Sequence, residues 1–281
     1  MNYRHAFHAG NFADVMKHAT LGRILTYLMQ KPAAFRVIDT HAGIGRYSLT
    51  GEEARRSPEW AEGIDRLLKA DLPAPVRDLL APYLGVVESE NRNGILSRYP
   101  GSPLIARKLF REQDRLSALE LHPADYRKLR DLFEGDIQVR VTELDGWLAL
   151  NAYVPPKEKR GLVLVDPPFE EPGEFGRLVD GLAKAHRKWA TGLYMLWYPL
   201  KEPREVNAFA AELKATGITR ILRAELTIGA PIAGRLYGSG LILVNPPFTL
   251  EAELKLLLPA LAAALAPGTG SHRLGWIRGE A

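Results

Sequence analysis

From Leu116 onward, short β-type runs alternate with helix-length stretches, and this alternation restricts the fold of the 281-residue chain more than any other feature. Strands are expected at Leu116 to Leu121, Gln138 to Thr142, Gly161 to Val165 and Gly192 to Trp197. Helices are expected at Pro123 to Phe133, near Trp147, at Pro172 to Trp189 and at Glu205 to Thr216. Strands separated by helices require right-handed crossovers, which build a mainly parallel sheet covered on both faces. The runs Thr219 to Thr227 and Gly240 to Val244 depart from this: a loop with Gly229, Pro231, Gly234 and Gly238 joins them, so an antiparallel pair is expected. With Phe35 to Asp39 as the first strand, the sequence predicts an α/β fold with a seven-stranded sheet whose last strand is antiparallel.

The first half of the chain adds two features to this frame. Asn11 to Gln30 suits a helix, with Asn11 as cap, Val15, Leu21, Leu25 and Leu28 as its apolar face, and Lys31-Pro32 as its stop. A glycine-rich turn, Thr40 to Ser48, follows the first strand. Residues 51–100 then carry two helical stretches, Pro58 to Lys69 and Pro75 to Asn91, with no β signal. They read as a helical insertion within a single domain spanning 1–281. Ser102-Pro103 opens a further helix, because Ser can cap free amides and Pro at the first helical position sacrifices no hydrogen bond.

Composition removes several classes of function. The chain has no Cys, which excludes a disulfide framework, thiolate zinc sites, iron-sulfur clusters and cysteine nucleophiles. No apolar run reaches the roughly 20 residues of a membrane span, and the N-terminus has no signal-peptide core, so a soluble cytoplasmic protein is expected. Lys and Arg number 37 against 33 Asp and Glu. The excess lies in the first 50 residues, where six bases face only Asp14 and Asp39, and four of the seven histidines fall there too. Such a basic, His-rich segment is suited to touch phosphates and bases.

In an open α/β sheet, ligands bind beyond the carboxyl ends of the strands, near the switch in strand order. Those ends carry Asp39 with the glycine turn, Glu120, Asp145-Gly146 and Asp166-Pro167-Pro168-Phe169. All four ends are acidic. Gly43-x-Gly45-x-x-Ser48 resembles a dinucleotide fingerprint, but Ser48 replaces the third glycine and the insertion displaces the helix that should follow. The alternative is a pocket for S-adenosylmethionine, in which the turn packs on the amino-acid part, Glu120 takes the ribose hydroxyls and Asp145 meets the adenine amine. Asp166-Pro167-Pro168-Phe169 then makes an acceptor cage, since prolines donate no backbone hydrogen bond. The Asp166 carboxylate and Pro167 carbonyl can bind both hydrogens of an aromatic amine while Phe169 stacks on its ring. Asn245-Pro246-Pro247-Phe248 repeats the pattern after the last strand and reads as a strand terminator. His18 and His41 read as hydrogen-bonding groups of the pocket wall, and no metal site is expected.

The stretches Tyr3-Arg4-His5-Ala6-Phe7-His8-Ala9-Gly10-Asn11, Asp39-Thr40-His41-Ala42-Gly43, Tyr99-Pro100-Gly101-Ser102-Pro103, Glu120-Leu121-His122-Pro123 and Leu196-Trp197-Tyr198-Pro199 resemble the bacterial 23S ribosomal RNA adenine N6-methyltransferase J family. The resemblance spans nearly the whole chain. It implies a Rossmann-like class I methyltransferase with a small helical insertion, acting as a monomer on one adenine of protein-free 23S rRNA. It further implies cofactor contacts from His18, His41, Gly43, Ser102, Glu120, Asp145, Gly146 and Asp166. Tyr3, His5 and Lys17, within an N-terminal segment 1–18, would contact the RNA, and Asp166, Pro167 and Phe169 would be catalytic. Phe169 stands where a family member carries Tyr, so stacking survives while a phenolic hydrogen bond is lost. Other readings are an amino-methylating enzyme acting on DNA or a protein amide, a non-catalytic RNA-assembly module and, more distantly, a nicotinamide oxidoreductase.

Overall fold

The computed structural model describes residues 4–91, 93–232 and 234–280. Helix α1 (Phe12–Met29) begins where the Asn11 side chain accepts from the amides of Ala13 and Asp14. It is buried on nearly every side, because it lies between the sheet and the helices of the insertion. Strand β1 (Arg36–Asp39) follows, then β2 (Arg46–Ser48), α2 (Glu52–Arg56), α3 (Arg66–Lys69), α4 (Ala74–Glu90) and β3 (Arg98–Pro100). Strands β2 and β3 pair antiparallel as a separate ribbon, so the helices of the insertion hang from a two-stranded stem.

The remaining elements are α5 (Ser102–Leu109), β4 (Arg115–Glu120), α6 (Pro123–Leu132), β5 (Val139–Glu143), α7 (Gly146–Ala152), β6 (Gly161–Val165) and α8 (Glu174–Lys188). Then come β7 (Leu193–Leu200), α9 (Pro203–Ala215), β8 (Ile221–Thr227), β9 (Gly238–Val244), α10 (Leu250–Leu265) and β10 (Ser271–Arg278). The main sheet has the order β10-β8-β9-β7-β6-β1-β4-β5. Strands β1, β4, β5, β6 and β7 are mutually parallel, and β9 pairs antiparallel with both β7 and β8.

Side-chain alternation along β6 shows how the layers form. Leu162 and Leu164 enter the core beneath α1, α4 and α10, while Val163 and Val165 enter the core beneath α7, α8 and α9. A strand buried on both faces needs an unbroken apolar run, as Gly161 to Val165 provides. Among the described residues, no helix is long and apolar enough to cross a membrane.

Three expectations need correction. Residues 51–100, read as free of β structure, end in strand β3, whose short run is fixed only by its pairing with β2. The sheet has eight strands, not seven, because β10 pairs antiparallel with β8 at the edge. Most of its residues are exposed, as suits an edge strand that needs only one buried flank. Ser102 also does not cap α5. Gly101 occupies the cap position, and the Ser102 hydroxyl donates instead to the buried Asp39 carboxylate at 2.7 Å.

Candidate active site

The chain runs from β1 out to β4 and β5 on one side, then returns to β6 and β7 on the other, so the switch in strand order lies between β1 and β6. Asp39, ending β1, pairs in register with Leu164, two residues before Asp166. A pocket of about 410 Å³ opens at these carboxyl ends. It is lined by His5, Lys17, His18, His41, Gly43, Ser102, Glu120, Asp145, Gly146, Asp166, Pro167 and Phe169. These are the site residues anticipated from sequence, apart from Tyr3, which lies outside the described residues.

The floor of the pocket depends on close backbone approach. Gly43 has φ +60, and a Cβ there would sit 2.1 Å from the Tyr47 hydroxyl oxygen. Its amide donates to Glu120 Oε2 at 2.9 Å, while the His122 amide donates to Oε1 at 2.8 Å. Glu120 is thereby fixed with lone pairs to spare, and burial raises its pKa. On the next strand, Asp145 caps α7 by accepting from the Trp147 amide at 2.8 Å through Oδ1. A Cβ on Gly146 would lie 2.3 Å from the Thr40 carbonyl oxygen and 2.8 Å from His41 Nε2, so only glycine lets α7 close on the β1 turn.

Burial keeps both wall histidines neutral, lowering the pKa of His18 to about 3 and of His41 to about 4. The Thr40 hydroxyl gives its only hydrogen to the Leu164 carbonyl at 3.0 Å. His41 Nδ1, 2.8 Å from the Thr40 hydroxyl oxygen, must therefore donate to it, which leaves Nε2 as an acceptor. His18 Nδ1 meets the Tyr99 hydroxyl at 2.7 Å, and Tyr99 meets Tyr83 at 2.9 Å, so a buried polar chain ties the pocket to α4. Asp39 is fully buried, and desolvation raises its pKa to about 7 despite the Ser102 hydrogen bond.

The N-terminal segment supplies a buried charge array. Asp14, 1 % exposed, accepts from the Gly10 amide and pairs with His5 Nε2 through Oδ2, each at 2.9 Å. Through Oδ1 it pairs with Lys17 Nζ at 2.9 Å, one helical turn along α1. The Lys17 ammonium also meets Asp166 Oδ2, so the lysine bridges two carboxylates. Burial opposes its charge, but Asp14 and Asp166 prevail and raise its pKa. Burial likewise opposes ionisation of Asp14, yet His5 and Lys17 hold its pKa well below the usual carboxylate range. From sequence, Lys17 is expected on the RNA side and Asp14 has no assigned role. The i,i+3 spacing of Asp14 and Lys17 was the only local sign of their pairing.

Most of the N-terminal positive charge is also taken up internally. Arg4, Arg23, Arg36 and Arg46 pair with Glu53, Glu253, Glu158 and Glu90 at 2.7 to 3.3 Å. Phe169 adopts φ 52, which turns its ring edge-on to Phe175 at 5.0 Å and to Trp197 at 5.7 Å. Asn245, in the second Pro-Pro element, is absent from the pocket lining. It also has φ 52, and its amide donates to the Ala190 and Gly192 carbonyls, both at 2.8 Å, which closes the end of β9.

Comparison with known proteins gives concordant matches. A family model described as "Ribosomal RNA large subunit methyltransferase D, RlmJ" matches residues 32–278. The chain is 45% identical over 281 residues to "Ribosomal RNA large subunit methyltransferase J" of Escherichia coli strain K12, covering 99% of each. It is 42% identical over 284 residues to the protein of the same name from Haemophilus influenzae, covering 100% of each. A crystal structure of a Legionella pneumophila protein is similar with a TM-score of 0.88 at 38% identity, covering 96% of this chain and 98% of that one.

Proposed function

Because the chain belongs to the ribosomal RNA large subunit methyltransferase family matched over residues 32–278, we propose that it transfers a methyl group from S-adenosylmethionine to the N6 amine of one adenine in 23S rRNA. It acts as a monomer on protein-free RNA in the cytoplasm. The observation that carries this reading is the gathering of Glu120, Asp145 and Asp166, from three strand ends, around one pocket with the Gly43 turn.

The residues present fit such a cofactor. A volume near 410 Å³ falls within the range of roughly 300–1,000 Å³ usual for small-ligand sites. Gly43 and Gly146 let the Tyr47 hydroxyl and the Thr40–His41 turn pack closely at two walls, where a Cβ would collide with them. Glu120 retains acceptor capacity for a vicinal diol, and Asp145 has a second oxygen for an amine. His18, His41 and Ser102 also line the pocket and offer polar groups to the amino-acid part. When bound, S-adenosylmethionine supplies an electrophilic methyl group on sulfonium sulfur.

The protein's share of the chemistry is positioning and electrostatics. The lone pair of an adenine amine is delocalised into the ring, and acceptors on both N–H hydrogens favour a pyramidal, nucleophilic nitrogen. The Pro167 carbonyl is one acceptor. The Asp166 carboxylate is the other, with Oδ2 fixed by Lys17 and Oδ1 left for the amine. Held by Lys17, the Asp166 carboxylate orients the amine, and the released proton passes on to solvent. Phe169, braced by Phe175 and Trp197, provides a stacking face for a base flipped from its helix.

The test is transfer of labelled methyl from S-adenosylmethionine to protein-free 23S rRNA, with genomic DNA and total protein in parallel. Label as N6-methyladenosine in the RNA supports the proposal. Label only on DNA or protein, or none despite cofactor binding, refutes it.

A further inference from the structure

We propose that the cleft on the outer face of the β2/β3 ribbon contacts the phosphate backbone of the RNA strand leading into the pocket; this rests on the reading of the chain as an RNA methyltransferase. The ribbon register pairs Arg46 with Pro100, Tyr47 with Tyr99 and Ser48 with Arg98. Alternation turns Tyr47 and Tyr99 into the core, at 4% and 0% exposure, and leaves Arg46, Ser48 and Arg98 on the other face.

Beside them lies a cleft of about 550 Å³, to which Lys108 of α5 adds a third cation. Glu90 is its sole acid among the described residues. The Glu90 side chain is 4% exposed, 2.7 Å from Arg46 Nε and 3.3 Å from Lys108 Nζ. One buried carboxylate thus anchors cations from two separate elements, while Arg98 stands exposed with no share in it. Three cations against one carboxylate exceed what neutralising Glu90 requires, and the excess suits a polyanion.

The other lining groups narrow the contact. Asn93 and Ser97 offer polar side chains, and no aromatic ring lines the cleft among the described residues, so it is suited to phosphate and sugar rather than to stacked bases. The cleft also adjoins the site. Arg46 stands three residues after the pocket-lining Gly43, so their Cα atoms are at most about 11 Å apart. Tyr99, on the inner face of the same ribbon, is hydrogen-bonded to His18.

The experiment compares wild type with an Arg98→Ala/Lys108→Ala double variant, which leaves the Arg46–Glu90 pair in place. Equilibrium binding to protein-free 23S rRNA is measured across salt concentrations, with poly-glutamate as a second probe. Loss of two phosphate contacts should lower the slope of log affinity against log salt by about 1–2 and weaken binding several-fold near ~0.1 M salt. Cofactor affinity, and the transfer rate at saturating RNA, should stay within about twofold of wild type. An unchanged slope and affinity would overturn the proposal, as would loss of poly-glutamate binding with RNA binding intact, which would mark a protein-facing surface. Because binding is read without transfer, a wild type that methylates no RNA counts against the enzymatic reading and leaves the cleft separately decided.

Discussion

Asp14 offers the sharpest quantitative test of the charge array. Asp14→Asn keeps the shape and the acceptor for the Gly10 amide but removes the charge that faces Lys17 and His5. Breaking one side of a buried ion pair costs about 3–5 kcal/mol, and hydrogen bonds to charged groups contribute roughly 1.5–3 kcal/mol. Lys17 keeps Asp166 as a partner, so the lower end applies and a loss of about 2–3 kcal/mol is expected. For a chain of 281 residues this corresponds to a Tm lower by about 3–5 °C. Lys17→Met should lose a similar amount. If Asp14 acts through Lys17, the two changes are not additive: the double variant should retain at least about 1 kcal/mol relative to the sum. Single-turnover methyl transfer should fall at least about tenfold in each single variant and no further in the double. Urea denaturation and single-turnover kinetics on all four proteins read both quantities. Strictly additive losses, or a double variant much slower than either single, would refute the bridging role of Lys17.

Asp166→Ala should slow transfer by at least about 100-fold while S-adenosylmethionine still binds, as calorimetry can show; a rate within tenfold of wild type would contradict its role as amine acceptor. Gly146→Ala drives a Cβ against the Thr40 carbonyl and the His41 ring, so about 1–3 kcal/mol of stability and most cofactor affinity should be lost, measured by thermal melts with and without cofactor. Phe169→Tyr should retain activity, whereas Phe169→Ala removes a stacking face worth roughly 1–3 kcal/mol and should raise KM for RNA. Asp39, with its pKa raised to about 7, favours the folded state while protonated; that contribution falls as pH rises from about 4 to 7 and is gone above it. Asp39→Asn should therefore lose less stability than wild type between pH 5 and pH 8 in urea titrations.

The parts of the fold readable from sequence were those whose neighbours leave little choice. Gly161 to Val165 is an unbroken apolar run because helices cover both its faces, and it forms β6 with the bounds expected. The loop between β8 and β9 has no crossover helix, so their antiparallel pairing followed. Strand β10 was not legible: its residues are mostly exposed, so Ser271 to Arg278 show no clear alternation, and only the free edge of β8 recruits them. The strand-end acids could be listed because topology brings carboxyl ends together. The Asp14–Lys17–Asp166 bridge was hidden because it joins positions 149 residues apart. The N-terminal charge excess was visible as a count, but its engagement by Glu53, Glu253, Glu158 and Glu90 depends on tertiary contacts that composition does not reveal.

Whether this chain methylates 23S rRNA can be read by nucleoside mass spectrometry of 23S rRNA from cells lacking this gene, after incubation with the purified protein and S-adenosylmethionine. Wild type should add one N6-methyladenosine per 23S rRNA, and Asp166→Ala none. No gain of N6-methyladenosine with wild type, or an equal gain with the variant, would contradict this expectation.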